Sequence, residues 1–216
     1  MIRFYLLLTL LFLSACSFKT PDNKWQHNSA NYFQLYTKNF LNANKVLAKS
    51  DLKVAIENAK RSADLTTLAK VYLGKCALDI SVGINNDCQE YQDIALLVED
   101  VKLEAYHHFL EQKMQESEFK LLPSAYQNFV QAIAKKDTVS AKKAIVSMEK
   151  ITSQLLASAL IKEELDKQSV AFILQRASYF GYKKAVLFWL AESKKYASTE
   201  EVKRIEKKIQ ILTKKE

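Results

Sequence analysis

The chain has 216 residues, with 32 Lys and Arg against 24 Asp and Glu and a formal net charge of +8. It contains only three glycines and two prolines, which excludes a β-rich fold because hairpin turns depend on residues that adopt positive φ. Strong helix formers such as Ala, Leu, Lys and Glu are abundant. We therefore predict an all-α fold.

The first residues have the features of an export signal. Arg3 supplies a positive charge, Phe4 to Leu13 form an apolar stretch broken only by Thr9, and small residues follow. This order is typical of a secretory signal peptide, and the stretch is well short of the roughly 20 residues that a membrane-spanning helix needs. We predict that residues 1–15 are a signal peptide that is removed from the mature protein.

The residues Leu13-Ser14-Ala15-Cys16 at the predicted cut site resemble the lipobox of bacterial lipoproteins. The resemblance implies that Cys16 is lipidated, becomes the first residue of the mature chain and holds the protein on a membrane of the bacterial cell envelope. In that family, Asp at the next position retains the protein in the inner membrane. Ser17 stands there, so the outer membrane is favoured, with the protein facing the periplasm. The alternatives are a short transmembrane anchor or a plain secretory signal with a chance cysteine.

The segment after Cys16 is polar and contains Pro21. We predict that residues 16–29 comprise the lipidated cysteine and a flexible tether. Fully extended, this tether would reach at most about 40–45 Å, at roughly 3.3–3.6 Å per residue. The remaining residues, 30–216, form the predicted all-helical domain, which the tether keeps close to the membrane.

Apolar side chains then recur every three or four residues, which is the spacing of one face of an α-helix. About nine helices are predicted, near residues 30–49, 51–62, 65–81, 89–117, 124–136, 138–165, 168–180, 183–196 and 199–213. Ser124–Gln127 and Ser198–Glu201 are predicted capping boxes, and Asp64, Asp87 and Asp137 are predicted N-caps.

The short connections predict antiparallel helical hairpins that form a short solenoid like that of tetratricopeptide (TPR) proteins. In the last hairpin, the Gly181-Tyr182 turn is followed by the small Ala185 and the aromatic Trp189. This order, within residues 168–214, is similar to tetratricopeptide and Sel1-like repeats, and the resemblance implies a protein-interaction surface. An irregular helical domain is the alternative, since no period of about 34 residues runs through the chain.

Of the three cysteines, one is the predicted lipidation site and the other two can pair with each other. With Cys16 assigned to the anchor, Cys76 and Cys88 remain, and an antiparallel hairpin would bring them within the roughly 4.4–6.8 Å Cα spacing of a disulfide. The periplasm is oxidising enough to form this bond. We predict a structural disulfide; a redox-active pair is the alternative, but such pairs more often show the C-x-x-C spacing that is missing here.

Much of the basic excess lies on the last predicted helix. Its apolar stripe faces the domain, so the opposite, wet side carries four basic residues that are candidates for contact with an anionic surface: Lys203, Arg204, Lys207 and Lys208. Export removes nucleic acid as a partner. The predicted partners are the membrane, through the N-terminal lipid, and other envelope proteins; peptidoglycan or anionic lipid would be the partner of the basic face. A merely solvated face is the alternative.

Motifs of catalysis are scarce in the sequence. No phosphate-binding glycine loop, G-x-S-x-G or H-E-x-x-H motif occurs, and no cofactor is predicted. The neighbouring His107 and His108 would point about 100° apart on a helix. We therefore predict no metal site.

One segment, Glu116-Ser117-Glu118-Phe119 followed by Pro123, resembles the start of the lytic transglycosylase signature. In that family a helical domain presents a glutamate as general acid for the cleavage of peptidoglycan, so the resemblance implies this role for Glu116. The family's glycine-rich continuation is absent, however, and lysines flank Glu116, whereas a catalytic glutamate needs an apolar pocket that raises its pKa.

The sequence therefore predicts a membrane-anchored envelope lipoprotein that acts as a non-enzymatic scaffold, with helical hairpins forming its protein-interaction surface. A peptidoglycan-active enzyme centred on Glu116 is one alternative. A wall- or lipid-binding module that uses the basic C-terminal helix is the other.

Overall fold

A computed structural model describes residues 23–214, and within this range the chain is all-helical, without a strand. The predicted all-α fold is thus confirmed. The predicted signal peptide and Cys16 lie outside the described residues. Eleven α-helices follow one another: α1 (Lys24–Leu41), α2 (Lys45–Ala59), α3 (Thr66–Ser81), α4 (Gln89–Ala95), α5 (Val101–Leu110), α6 (Ser124–Ala134), α7 (Thr138–Ser147), α8 (Ile151–Leu160), α9 (Lys167–Tyr179), α10 (Lys183–Ser193) and α11 (Thr199–Thr213). Short 3-10 helices cover Glu116–Leu121, Lys162–Glu164 and Lys194–Tyr196.

The structure has more α-helices than predicted because two long predicted helices are each divided. The helix predicted at 89–117 becomes α4, α5 and a 3-10 helix, and the one predicted at 138–165 becomes α7 and α8. The apolar spacing continues across both breaks, so periodicity alone does not reveal them. At the first break, the Asp100 carboxylate accepts hydrogen bonds from two amides of the next turn and begins a new helix.

The N-terminal hairpin also differs from the prediction. α1 begins at Lys24, so residues 24–29 of the predicted flexible tether are helical, and Ser29 is buried with its hydroxyl donating to the Ala55 carbonyl at 2.9 Å. From Cys16 to Asn23 the chain can span at most about 25 Å, at roughly 3.3–3.6 Å per residue. The first helix ends before its predicted limit, because Ala43 adopts a φ of 65° in the turn to α2.

Two predicted helix starts are confirmed in atomic detail. The hydroxyl of Ser198 accepts from the Glu201 amide at 3.3 Å, and the Glu201 carboxylate accepts from the Ser198 amide at 2.7 Å, which completes the capping box of α11. The Asp137 carboxylate accepts from the Ser140 amide at 3.0 Å and caps α7.

Three other predicted starts are wrong in detail. The box at Ser124–Gln127 does not form, because Pro123 precedes the helix and the last residue of the box donates its side-chain amide to the Leu122 carbonyl. Asp64 and Asp87 each accept from an amide two residues later but lie one residue before the N-cap position of their helices.

The helices pack as hairpins, as predicted. α1 packs along α2, α6 along α7 and α9 along α10, each pair joined by a short turn. α3 is central and contacts α1, α2, α4, α5 and α8, while α10 contacts α1, so that the first hairpin meets the hairpin of α9 and α10. At that junction the Lys184 ammonium lies 3.4 Å from the centre of the Phe40 ring, a cation–π contact. The resemblance to tetratricopeptide and Sel1-like repeats stays a prediction.

The main hydrophobic core runs between these helices and includes both disulfide cysteines. Trp189, Phe129 and Leu41 are among its largest fully buried side chains. Burial of each such side chain contributes about 1.5–3 kcal/mol. A smaller cluster joins α2 to α3 and consists of Ala55, Ala59, Leu68 and Val71.

Candidate functional site

The predicted pairing of Cys76 with Cys88 is confirmed. Cys76 lies on α3 and Cys88 precedes α4, and their Cα atoms are 5.3 Å apart. The bond closes the loop of residues 82–88, and Cys88 adopts a φ of 59° there. Both cysteines are buried, so the disulfide fastens the loop directly to the core.

A second set of bonds orders the same loop. The Asp79 carboxylate accepts a hydrogen bond of 2.7 Å from the side-chain amide of Asn86, and the Asn86 side-chain oxygen accepts one of 2.8 Å from the Cys88 amide. The Asp79 carbonyl accepts from the Ile84 amide at 3.0 Å. Asp79 therefore holds both the middle and the end of the loop.

Three charged side chains, Lys75, Lys184 and Glu90, act on the Asp79 carboxylate. Burial raises the pKa of Asp79, while its hydrogen bond from Asn86 and the positive charges of Lys75 and Lys184 oppose that rise. The Lys75 ammonium lies 3.9 Å from the Asp79 carboxylate and 2.5 Å from that of Glu90. Burial also lowers the pKa of Lys184. The carboxylate is thus partly desolvated but has two cations nearby.

An open cleft of about 670 Å³ lies beside this loop, which we call the loop cleft. Its apolar lining residues are Ile80, Gly83, Ile84, Leu110, Ala159, Leu160 and Phe188. Its polar lining residues are Lys75, Asn85, Asn86, Asp87, Glu90, Gln112 and Lys162. Half of the lining residues are apolar and half are polar, a mixture that is closer to a protein–protein interface than to the mostly apolar pocket of a small molecule.

The loop lies flat against α10 at Gly83. This residue has a φ of 76°, and a Cβ placed on it would lie 2.3 Å from Cε2 of Phe188. Both the backbone conformation and the close approach therefore require glycine. The contact fixes one wall of the loop cleft.

The four basic residues predicted to face outward from the last helix are all exposed on α11. Lys203 lies 3.3 Å from the Glu200 carboxylate, an exposed pair of little energetic weight. Within residues 23–214, Arg204, Lys207 and Lys208 have no carboxylate within 4.0 Å. None of the four lines the loop cleft.

Glu116 is exposed at the start of a 3-10 helix, and the structure encloses it in no apolar pocket. Glu118, two residues later, makes the hydrogen bonds of this segment. One of its carboxylate oxygens lies 2.6 Å from His108 Nδ1, and the other accepts from the Gln115 amide at 2.8 Å. Burial opposes ionisation of Glu118, but the Gln115 amide and His108 together hold its pKa below the usual value. Glu118 ties this segment to α5.

His107 and His108 do not converge on one ligand. The His107 ring packs against Tyr91 with centroids 4.9 Å apart, and its Nε2 has no hydrogen-bond partner among the described residues. Burial lowers the pKa of His107, with the Glu111 carboxylate opposing this effect. In the part of the chain that the structure describes, no group of three or more His, Cys, Asp or Glu could hold a metal ion.

Two features of the structure do not follow from the sequence pattern. One is the pair of hydrogen bonds that Asn86 donates to Asp79 and accepts from the Cys88 amide, although the polar Asn85-Asn86-Asp87 turn indicates the place. Leu96 and Leu97 were predicted to lie within one long helix, yet they are exposed in the connection between α4 and α5.

No protein-family model, curated protein or solved structure matches the chain. Between residues 23 and 214, no helix is both long enough and apolar enough to cross a membrane.

Proposed function

We propose that this protein is a lipid-anchored lipoprotein of the bacterial cell envelope that acts as a non-enzymatic scaffold and binds another envelope protein. Cys16 is the anchor, the outer membrane is the favoured location, and the domain faces the periplasm. The lipobox-like Leu13–Cys16 supports the anchor. The Cys76–Cys88 disulfide supports an oxidising compartment.

The observation that carries the scaffold proposal is the loop cleft. Its wall is held by a disulfide, by the Asp79–Asn86 hydrogen bond and by the contact of Gly83 with Phe188. Because these constraints order the loop before a partner arrives, less conformational entropy is lost on binding. A pre-ordered wall favours recognition of one partner shape.

The lining indicates the kind of segment that binds. Phe188, Leu160 and Ile80 offer apolar surface for an aliphatic or aromatic side chain. Lys162 and Asp87, both in the lining, have opposite charges, so they suit a partner segment that carries both signs beside its apolar residue.

In-cell photo-crosslinking tests this proposal. A benzophenone amino acid at Ile84, which lines the cleft and is 44% exposed, is compared with the same probe at Val146 on α7, which is 56% exposed. We expect a discrete adduct with another envelope protein from position 84 only, and its loss in the C76A/C88A background. Equal adducts from both positions, or none from position 84, would contradict the proposal.

The variant Glu116→Gln separates the scaffold from a peptidoglycan-active enzyme. We expect neither the wild type nor E116Q to release soluble fragments from purified cell wall. Hydrolysis by the wild type that E116Q abolishes would overturn the non-enzymatic proposal.

A second function, binding of anionic lipid or peptidoglycan by α11, has the exposed Arg204, Lys207 and Lys208 in its favour. Such binding would weaken steeply with salt. Co-sedimentation of wild type and K207Q/K208Q with anionic vesicles or purified wall, over a salt series, measures it. Identical binding by the two proteins, insensitive to salt, would remove this function.

A further inference from the structure

An apolar pair of leucines is exposed in the connection between α4 and α5. Leu96 is 98% exposed and Leu97 is 70% exposed. Val101, at the start of α5, is also exposed. Scattered surface leucines are ordinary, but neighbouring ones at the tip of a connection form a patch that water solvates poorly.

This patch lies at the end of the molecule where the chain enters α1. Ser29, near the start of α1, donates to the Ala55 carbonyl near the end of α2. Ala55 belongs to the small apolar cluster of α2 and α3, and Ile94, at the end of α4, packs against that same cluster. Since Leu96 follows Ile94 by two residues, the leucine pair and the start of α1 share one end of the domain.

The position of the leucine pair relative to the lipid anchor on Cys16 indicates which surface covers it. At most about 25 Å of chain separates Cys16 from Asn23, so a lipid on Cys16 holds this end of the domain next to the bilayer. Three aliphatic side chains cover far less than the roughly 1,000 Å² that a specific protein interface buries. A lipid surface needs no such area once the protein is tethered to it, because tethering supplies a high effective concentration.

We propose that Leu96 and Leu97 insert into the interfacial region of the bilayer and act as a second, non-covalent contact that orients the domain on the membrane; this inference rests on the proposed lipid anchor. The contact is apolar. Exposed Asp93 and Glu99 flank the pair, and their negative charge disfavours recognition of anionic headgroups. The leucines therefore suit zwitterionic lipid, and the contact is insensitive to salt.

The hairpin of α1 and α2 provides a matched control surface. Val46 is 83% exposed and Leu47 is 55% exposed at the start of α2. α1 has 18 residues, so this surface lies about 27 Å from the end where the chain enters, at 1.5 Å per residue. It has the same apolar character but lies at the opposite end of the hairpin.

Quenching of tryptophan fluorescence by brominated lipid tests the proposal. Full-length lipidated protein carrying either L97W or L47W is reconstituted in phosphatidylcholine vesicles with dibrominated acyl chains. The native Trp25 and Trp189 provide the same background in both variants. We expect the quenching of L97W above the wild-type level to be at least twofold greater than that of L47W, and to persist in 1 M NaCl.

The remaining outcomes count against the proposal in distinguishable ways. Equal quenching of L97W and L47W while the protein floats with the vesicles would overturn the insertion and leave the anchor standing. Quenching of L97W that disappears in high salt would show that the contact with the membrane is electrostatic and not apolar. If the quenching of L97W by the brominated lipid decreases as the protein concentration rises, the leucines contact a second copy of the chain instead of the bilayer. Wild-type protein that does not float with the vesicles would overturn both the anchor and the insertion.

Discussion

Asp79 and Asn86, on opposite sides of the turn that follows α3, are joined by a hydrogen bond of 2.7 Å from the Asn86 amide to the Asp79 carboxylate. Asn86 in turn accepts from the amide of Cys88. The bond places the second disulfide cysteine beside Cys76 and forms one wall of the loop cleft. The loop is therefore held by polar contacts as well as by the covalent bond.

Removal of the acceptor at Asp79 should destabilise the protein. We expect D79A to lower the free energy of unfolding by about 1–3 kcal/mol, because the Asn86 amide loses its partner in a partly buried position. D79N keeps an acceptor oxygen and removes a desolvated charge, so its loss should be smaller. Urea denaturation at neutral pH compares the two variants, and equal losses would show that the hydrogen bond does not order the loop.

The disulfide should contribute through the loop that it closes. The two cysteines are 12 residues apart, and a loop of that size corresponds to about 3 kcal/mol on the chain-entropy estimate. We expect dithiothreitol to lower the unfolding midpoint of the wild type in urea. C76A/C88A should be less stable and unaffected by the reductant. A wild type whose midpoint does not change on reduction would refute this role.

Comparison of Gly83 with Gly181 isolates the effect of the contact between Gly83 and Phe188. Both adopt positive φ, 76° and 68°, but a Cβ on Gly181 would meet nothing within 4 Å. G181A should cost about 1–2 kcal/mol through backbone strain alone, whereas G83A adds the clash with the ring. We expect the melting temperature of G83A to fall further than that of G181A. Similar values would indicate that Phe188 moves aside without cost.

The partly buried His107 should make stability depend on pH. Burial lowers its pKa in the folded protein, so the unfolded chain takes up the proton first as the pH decreases through the ordinary value of 6.5. Its contribution to stability is therefore intact above that value and declines below it.

The variant H107F isolates this effect, because it keeps the ring against Tyr91 and removes a nitrogen that has no hydrogen-bond partner among the described residues. We expect the wild type to lose more unfolding free energy than H107F between about pH 7 and pH 5.5. Glu118, with a lowered pKa, affects stability only at more acidic pH. Parallel pH profiles of the two proteins would contradict the assignment.

Local signals in the sequence were sufficient for much of the fold. Scarce turn formers indicated the all-α class, and elimination of Cys16 left Cys76 and Cys88 as a pair that the structure confirms. The capping box at Ser198 and the cap at Asp137 were also readable, because each depends on residues within one turn.

The helix breaks and the loop cleft could not be predicted from local sequence signals. Apolar spacing continues from Ile94 through Val98 to Val101, so a pattern read along one helix does not reveal the break that exposes Leu96 and Leu97. The cleft combines residues of α3, α5, α8 and α10 that are distant in sequence. Periodicity says which face of each helix is buried, but not which helices meet.

Mass spectrometry of the mature N-terminus tests the central proposal, a lipid-anchored scaffold, most directly. We expect membrane-fraction protein to begin at Cys16 and to carry a diacylglyceryl group on its sulfur, and we expect Cys16→Ser to prevent both lipidation and cleavage after Ala15. A mature chain that begins elsewhere, or that carries a free thiol at Cys16, would contradict it.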